Sequence, residues 1–113
     1  MTILERYNAA LDERAAAMRA EAAAARQSGD ERRHSLFLMQ ASMLGDMLKQ
    51  LGKVEHNRIR AGILQSEIDL MTRQAASFEA RGDFDAADQA RVKADTIRWA
   101  LDALRRLEAE GDE

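Results

Sequence analysis

The chain has 113 residues, a net charge of −3, and neither Cys nor Pro. That length suits a single all-helical domain, residues 1–113, around one ordinary core. Without cysteine there is no disulfide, no zinc–thiolate site and no thiol nucleophile. With acids and bases nearly balanced there is no broad basic field to hold phosphates, so direct nucleic-acid binding is not expected.

Charged residues make up 33% of the chain and aromatic ones only 4%. Much of the rest is Ala, Leu and Met, strong helix formers like the abundant Arg and Glu. β-Branched residues never alternate with polar ones over a run, so no strand is expected. No apolar stretch approaches the ~20 residues that a membrane span requires. The opening Met1-Thr2-Ile3-Leu4-Glu5-Arg6-Tyr7 is charged from position 5 and has no apolar secretory segment. The expectation is a cytoplasmic, all-α protein without membrane contact.

The first helix is predicted over about 2–27. Thr2, with Glu5 three residues on, makes a capping box. Leu4, Tyr7, Leu11, Ala15, Met18, Ala22 and Ala25 recur at steps of three and four along one face. Ser28-Gly29 ends it, Gly suiting the left-handed position after a helix. The second helix, about 30–51, is capped by Asp30 and turns Phe37, Ala41, Leu44, Leu48 and Leu51 inward. The third runs from about 54 to 80 with Leu64, Ile68, Met71, Ala75 and Phe78 inside, flanked by Ile59, Ile63 and Leu70. Arg81-Gly82 ends it. The fourth, about 83–109, is capped by Asp83 and buries Ala87, Ala90, Ala94, Ile97, Leu101 and Leu104; the acidic tail 110–113 should fray.

The two Gly-Asp dipeptides, Gly29-Asp30 and Gly82-Asp83, stand 53 residues apart. The same offset matches Leu11 with Leu64, Met18 with Met71, Leu44 with Ile97, Leu48 with Leu101 and Leu51 with Leu104. Small residues in one copy meet large ones in the other: Ala15, Ala17 and Ala25 against Ile68, Leu70 and Phe78, and Phe37 against Ala90. Such placement fills a shared core. The reading is two long antiparallel hairpins, residues 1–51 and 53–109, forming a four-helix bundle, with self-association to cover any face left over. A continuous rod through the second and third helices is the alternative. Gly52 alone costs only ~1 kcal/mol inside a helix. However, the spacing of Leu44 and Leu51 continues onto Arg58, Gln65 and Thr72 instead of Leu64, Met71 and Phe78, so a bend near Gly52 is expected.

Few residues invite chemistry. Glu31-Arg32-Arg33-His34 has the Glu-x-x-His spacing of carboxylate-bridged di-iron bundles. The second copy carries Ala87 where His34 stands in the first, so a metal-binding bundle ranks last among the readings and no cofactor is expected. Lys53-Val54-Glu55-His56-Asn57-Arg58-Ile59-Arg60 is the one locally basic stretch, readable as a small-anion contact or as a solvated helix start. Gly52-Lys53 lacks the upstream Gly and following Ser or Thr of a P-loop. Two His residues support no catalytic triad, and an enzyme is not expected.

Apolar surface beyond the inner stripes is more informative. Leu36, Met39, Met43 and Met47 follow one another at steps of three and four on the second helix. Val92 and Trp99 lie seven apart on the fourth, on the side away from Ile97 and Leu101. A helix apolar nearly all round is either central in a core or covered by a partner, and Trp and Met suit contact surfaces. These six residues are the candidate partner-binding face of a non-enzymatic adaptor, regulator or inhibitor, the partner being another protein or a second copy of the chain. The second reading is electrostatic. Asp83, Asp85, Asp88, Asp95, Asp102, Glu108 and Glu110 would fill the basic nucleic-acid-binding groove of a target protein, in the manner of a phage inhibitor of host defence.

The stretch Gly82-Asp-Phe-Asp-Ala-Ala-Asp-Gln-Ala-Arg91 resembles the second helix of tetratricopeptide-type and UVR-type helical hairpins. Both are protein-contact modules, and the resemblance implies the same class of function. It covers about ten residues; the Pro near the end of the tetratricopeptide repeat is missing and the helices here are longer, so no family is assigned.

Overall fold

The computed structural model describes residues 2–51, 54 and 56–111. Four helices follow in order: α1 (Ile3–Gln27), α2 (Glu31–Leu51), α3 (Asn57–Ala80) and α4 (Phe84–Gly111), with no strand among the described residues. α1 pairs with α2 and α3 with α4, two hairpins that form an all-α bundle. No helix among the described residues is long and apolar enough to cross a membrane.

The repeat is carried into backbone geometry. Gly29 and Gly82 have φ of 81° and 79°, a region that L side chains avoid and Gly enters freely. In the first turn Asp30 N–H donates to Ala25 C=O at 2.9 Å and Gly29 N–H to Arg26 C=O at 3.1 Å; in the second, Asp83 N–H donates to Phe78 C=O at 2.9 Å and Gly82 N–H to Glu79 C=O at 3.0 Å. This is the same Schellman closure twice, and it satisfies carbonyls that each helix end would otherwise leave bare. Each Asp then starts the next helix: the Asp30 carboxylate accepts from Arg33 N–H, and that of Asp83 from Ala86 N–H. The predicted capping box is present at α1, where Thr2 Oγ1 accepts from Glu5 N–H and Glu5 Oε1 accepts from Thr2 N–H. Those bonds hold the Glu5 carboxyl below its usual pKa.

α2 and α3 are separate helices, which removes the rod alternative; Gly52, on which the bend was argued, lies outside the described residues together with Lys53 and Glu55. α3 starts at Asn57, three residues later than the spacing suggests, because His56 is extended and its carbonyl takes the first helical hydrogen bonds from Ile59 and Arg60.

Cross-helix contacts define the arrangement. Arg32 reaches Asp85 and Asp88, and Gln40 reaches Thr96, so α2 and α4 run parallel. Arg6 bonds Glu110 and Arg14 lies over Trp99, so α1 runs antiparallel to α4. Arg32 and Asp85 occupy the same position of the two copies, as expected when equivalent helices face each other across a pseudo-twofold. α4 is therefore wedged against all three other helices, whereas α2 and α3 do not pack closely among the described residues.

The core contains Tyr7, Leu11, Ala15 and Met18 from α1, Ala41, Leu44, Met47 and Leu51 from α2, Leu64 and Ile68 from α3, and Ile97, Ala100, Leu101, Ala103 and Leu104 from α4. The stripe predicted for α4 is wholly buried, and Thr96, Ala100 and Ala103 are buried beside it. A single stripe was expected; α4 needs a second because it serves both hairpins. Leu4, Phe37, Leu48, Met71 and Phe78, expected inside, are half-buried, and Ile59, Ile63 and Leu70 are exposed.

Candidate functional site

The six residues of the predicted apolar face do not share one surface. Leu36 and Val92 border a shallow recess between α2 and α4 with Arg33, Phe37, Gln40 and Asp95. Met43 and Met47 line a groove between α2 and α3. Met39 is half-buried on α2. Trp99 lies on the seam between α1 and α4. It stands opposite the stripe that α4 turns toward α3, as its spacing requires, but that opposite side faces α1. The Arg14 guanidinium sits 5.1 Å from its ring centroid, within range of the attraction between a cation and the negative face of an indole. Met47 is 9% exposed and belongs to the core, whereas Met43 is half-buried against it.

The α2–α3 groove is one of the apolar recesses left open among the described residues. Met43, Met47 and Leu51 form one wall, Ile63 and Leu64 the other, and Ile97 of α4 contributes below. Its volume is about 180 Å³. Asp46, Gln50 and Glu67 complete the lining. Ile59, Ile63 and Leu70 continue along one face of α3 and are 51%, 40% and 38% exposed. These three were expected as flanks of the inner stripe and were not proposed as a contact surface. The signal that identifies them is their spacing of four and seven residues, offset from the stripe of Leu64 and Ile68.

The seam between α3 and α4 holds a recess of about 390 Å³ over Ala75, Ala76 and Ala94, bridged by polar side chains. Arg91 pairs with Glu79 across it, and Arg98 donates to Thr72. The acidic surface along α4 is tied down in the same way. Asp85 and Asp88 meet Arg32, Asp88 also meets Arg91, Asp95 pairs with Arg98, Glu110 pairs with Arg6, and Asp83 caps its helix. Asp102 and Glu108 have no ion pair among the described residues.

The basic stretch at the start of α3 is rearranged by burial. Arg60 is completely buried, so it is neither an anion contact nor part of a solvated helix start. Its Nε donates to Leu51 C=O at 2.9 Å and its Nη1 to Asn57 Oδ1. Burial pulls its pKa down, and the nearby Tyr7 works against that shift. His34 is half-buried with Nδ1 2.8 Å from Ala22 C=O; since a carbonyl only accepts, Nδ1 carries the proton. Among the described residues no three His, Asp or Glu side chains converge as metal ligands would.

Compared with models of known protein families, with curated proteins and with solved structures, the chain matches none. Its own geometry is therefore the basis for a functional reading.

Proposed function

We propose that the protein is a non-enzymatic contact module, a small adaptor, regulator or inhibitor that binds another protein through the open apolar groove between α2 and α3. The observation that carries this reading is the groove wall of Met43 and Ile63, continued along the same exposed face of α3 by Ile59 and Leu70 and left uncovered among the described residues. Isolated apolar residues on a surface need no explanation, but a contiguous set bordering a groove marks a contact site. Each large side chain buried on binding contributes ~1.5–3 kcal/mol before association costs. Met43 and Met47 belong to the stripe that the spacing of α2 singles out; the α3 residues extend it.

The test is affinity capture with the full chain beside Ile63→Glu and Ile59→Glu. Both positions are exposed, so helicity by circular dichroism should be retained while a specific partner is lost. Unchanged capture by both variants would reject the site. The electrostatic inhibitor has less support, because most of the acids along α4 are already paired within the chain. Its signature would be an affinity that falls steeply with salt and is untouched by Ile63→Glu.

A further inference from the structure

The two seams joining the hairpins are counterparts, yet α1 and α4 pack more closely than α2 and α3. The 53-residue offset exchanges α1 with α3 and α2 with α4, so the α1–α4 seam maps onto the α2–α3 groove. Leu44 and Thr96 of the seam correspond to Ile97 and Met43 of the groove. Arg14 and Trp99, the cation and ring that meet on the seam, correspond to Glu67 and Asp46. An attractive pair has been replaced by two carboxylates over an apolar floor. Two carboxylates lining one groove favour a positively charged occupant. Neither acid has an ion-pair partner among the described residues. The two acids at the groove set the charge of a partner that would complement it.

We infer that the α2–α3 groove docks an amphipathic helical segment of another protein that presents a large apolar or aromatic side chain flanked by Arg or Lys. This rests on the protein-contact reading above and adds the chemistry of the partner. The apolar side chain enters between Met43, Met47 and Ile63, while the basic groups meet Asp46 and Glu67. At about 180 Å³ the space is smaller than the roughly 300–1,000 Å³ of small-molecule sites, so a side chain fits it better than a metabolite. Ile59 and Leu70 extend the exposed face of Ile63 over twelve residues of α3, about 16 Å or three helical turns. That is the footprint of a short helix laid in a groove, and unbranched methionines adapt to its contour. A second copy of this chain is the poorer occupant, because two such grooves brought face to face would oppose four carboxylates.

The full chain is titrated with three synthetic helical peptides that share one stripe of Trp and Leu and differ only in their flanking residues: Arg, Gln or Glu. The Arg peptide should bind about tenfold more tightly than the Gln peptide at low salt, and the Glu peptide most weakly. The preference should fade as salt rises. Asp46→Lys with Glu67→Lys should reverse the order. Asp46→Trp with Glu67→Arg, which copies the Arg14–Trp99 pair into the groove, should abolish binding of all three with helicity intact. Equal affinities overturn the inference; if Ile63→Glu still weakens all three peptides, the protein-contact reading survives that result. Failure of every peptide to bind, or a stable dimer of the chain that Ile63→Glu dissociates, also overturns it, the dimer by naming a second copy as the occupant.

Discussion

Tyr7 and Arg60 occupy the same position of the two repeat copies, 53 residues apart, and both are completely buried. One copy thus carries a phenol where the other carries a guanidinium. The Tyr7 hydroxyl and Arg60 Nη2 have no hydrogen-bond partner among the described residues. A buried cation normally sits on a carboxylate. Here the negative counterpart is the C-terminal end of α2, whose exposed carbonyl charge Arg60 meets at Leu51. The bond ties the start of α3 to the end of α2.

That environment predicts a specific alkaline transition. Burial pushes the Tyr7 phenol up from 10.0 to about 12, more than the Arg60 charge lowers it. Above pH 10 the unfolded chain releases the proton while the folded chain keeps it. The stabilisation is therefore complete below the unfolded pKa and is lost as pH rises through the folded one. Two units correspond to ~3 kcal/mol as an upper figure. Tyr7 is the only tyrosine, so tyrosinate absorbance reports this group alone. It should appear close to pH 12, together with any loss of helical circular dichroism. Ionisation at pH 10 in a fully helical chain would contradict the burial.

Substitutions at the pair should separate packing from charge. Tyr7→Phe removes an unpaired hydroxyl and should leave stability within about 1 kcal/mol or raise it. Arg60→Ala leaves a cavity and a bare Leu51 carbonyl, and should cost about 2–4 kcal/mol. Arg60→Met keeps most of the volume without the charge, and should cost much less than Arg60→Ala. Urea unfolding of the three variants checks the order.

The turns should respond alike. Adding a Cβ at Gly29 or Gly82 meets nothing within 4 Å, so any penalty comes from the positive φ alone. Gly29→Ala and Gly82→Ala should each cost about 1–2 kcal/mol. Gly62, in the interior of α3 with equally open surroundings, should instead gain roughly 0.5–1 kcal/mol on becoming Ala. Thermal melts showing unequal losses at the two turns would argue against their equivalence.

Trp99 is the only tryptophan and reports the α1–α4 seam. Arg14→Ala should shift its fluorescence to the red and cost about 0.5–1 kcal/mol. Glu67→Ala, on the other seam, should leave the emission unchanged.

Helix positions and turns were readable along the chain because their causes are local. The Gly-Asp pairs, the Thr2–Glu5 box and the stripes of α1 and α4 depend on residues no more than a few positions apart. Arg60 was not readable in this way. A lone Arg in a basic stretch looks solvated, and only the approach of the α2 terminus and Tyr7 makes it internal. That Trp99 is half-buried beside α1 was not readable either, because spacing identifies a second face on a helix without saying which neighbour it meets.

The sequence by itself determined four helices, the N-caps of α1, α2 and α4 and the twofold repetition, since propensity, capping and periodicity act within single helices and turns. Only the tertiary structure decided that α4 is shared by both hairpins, that its second face meets α1, and that the gap between α2 and α3 stays open. Those outcomes depend on which side chains oppose each other across seams between remote segments. Arg14 meets the Trp99 ring on one seam, whereas Asp46 and Glu67 line the other.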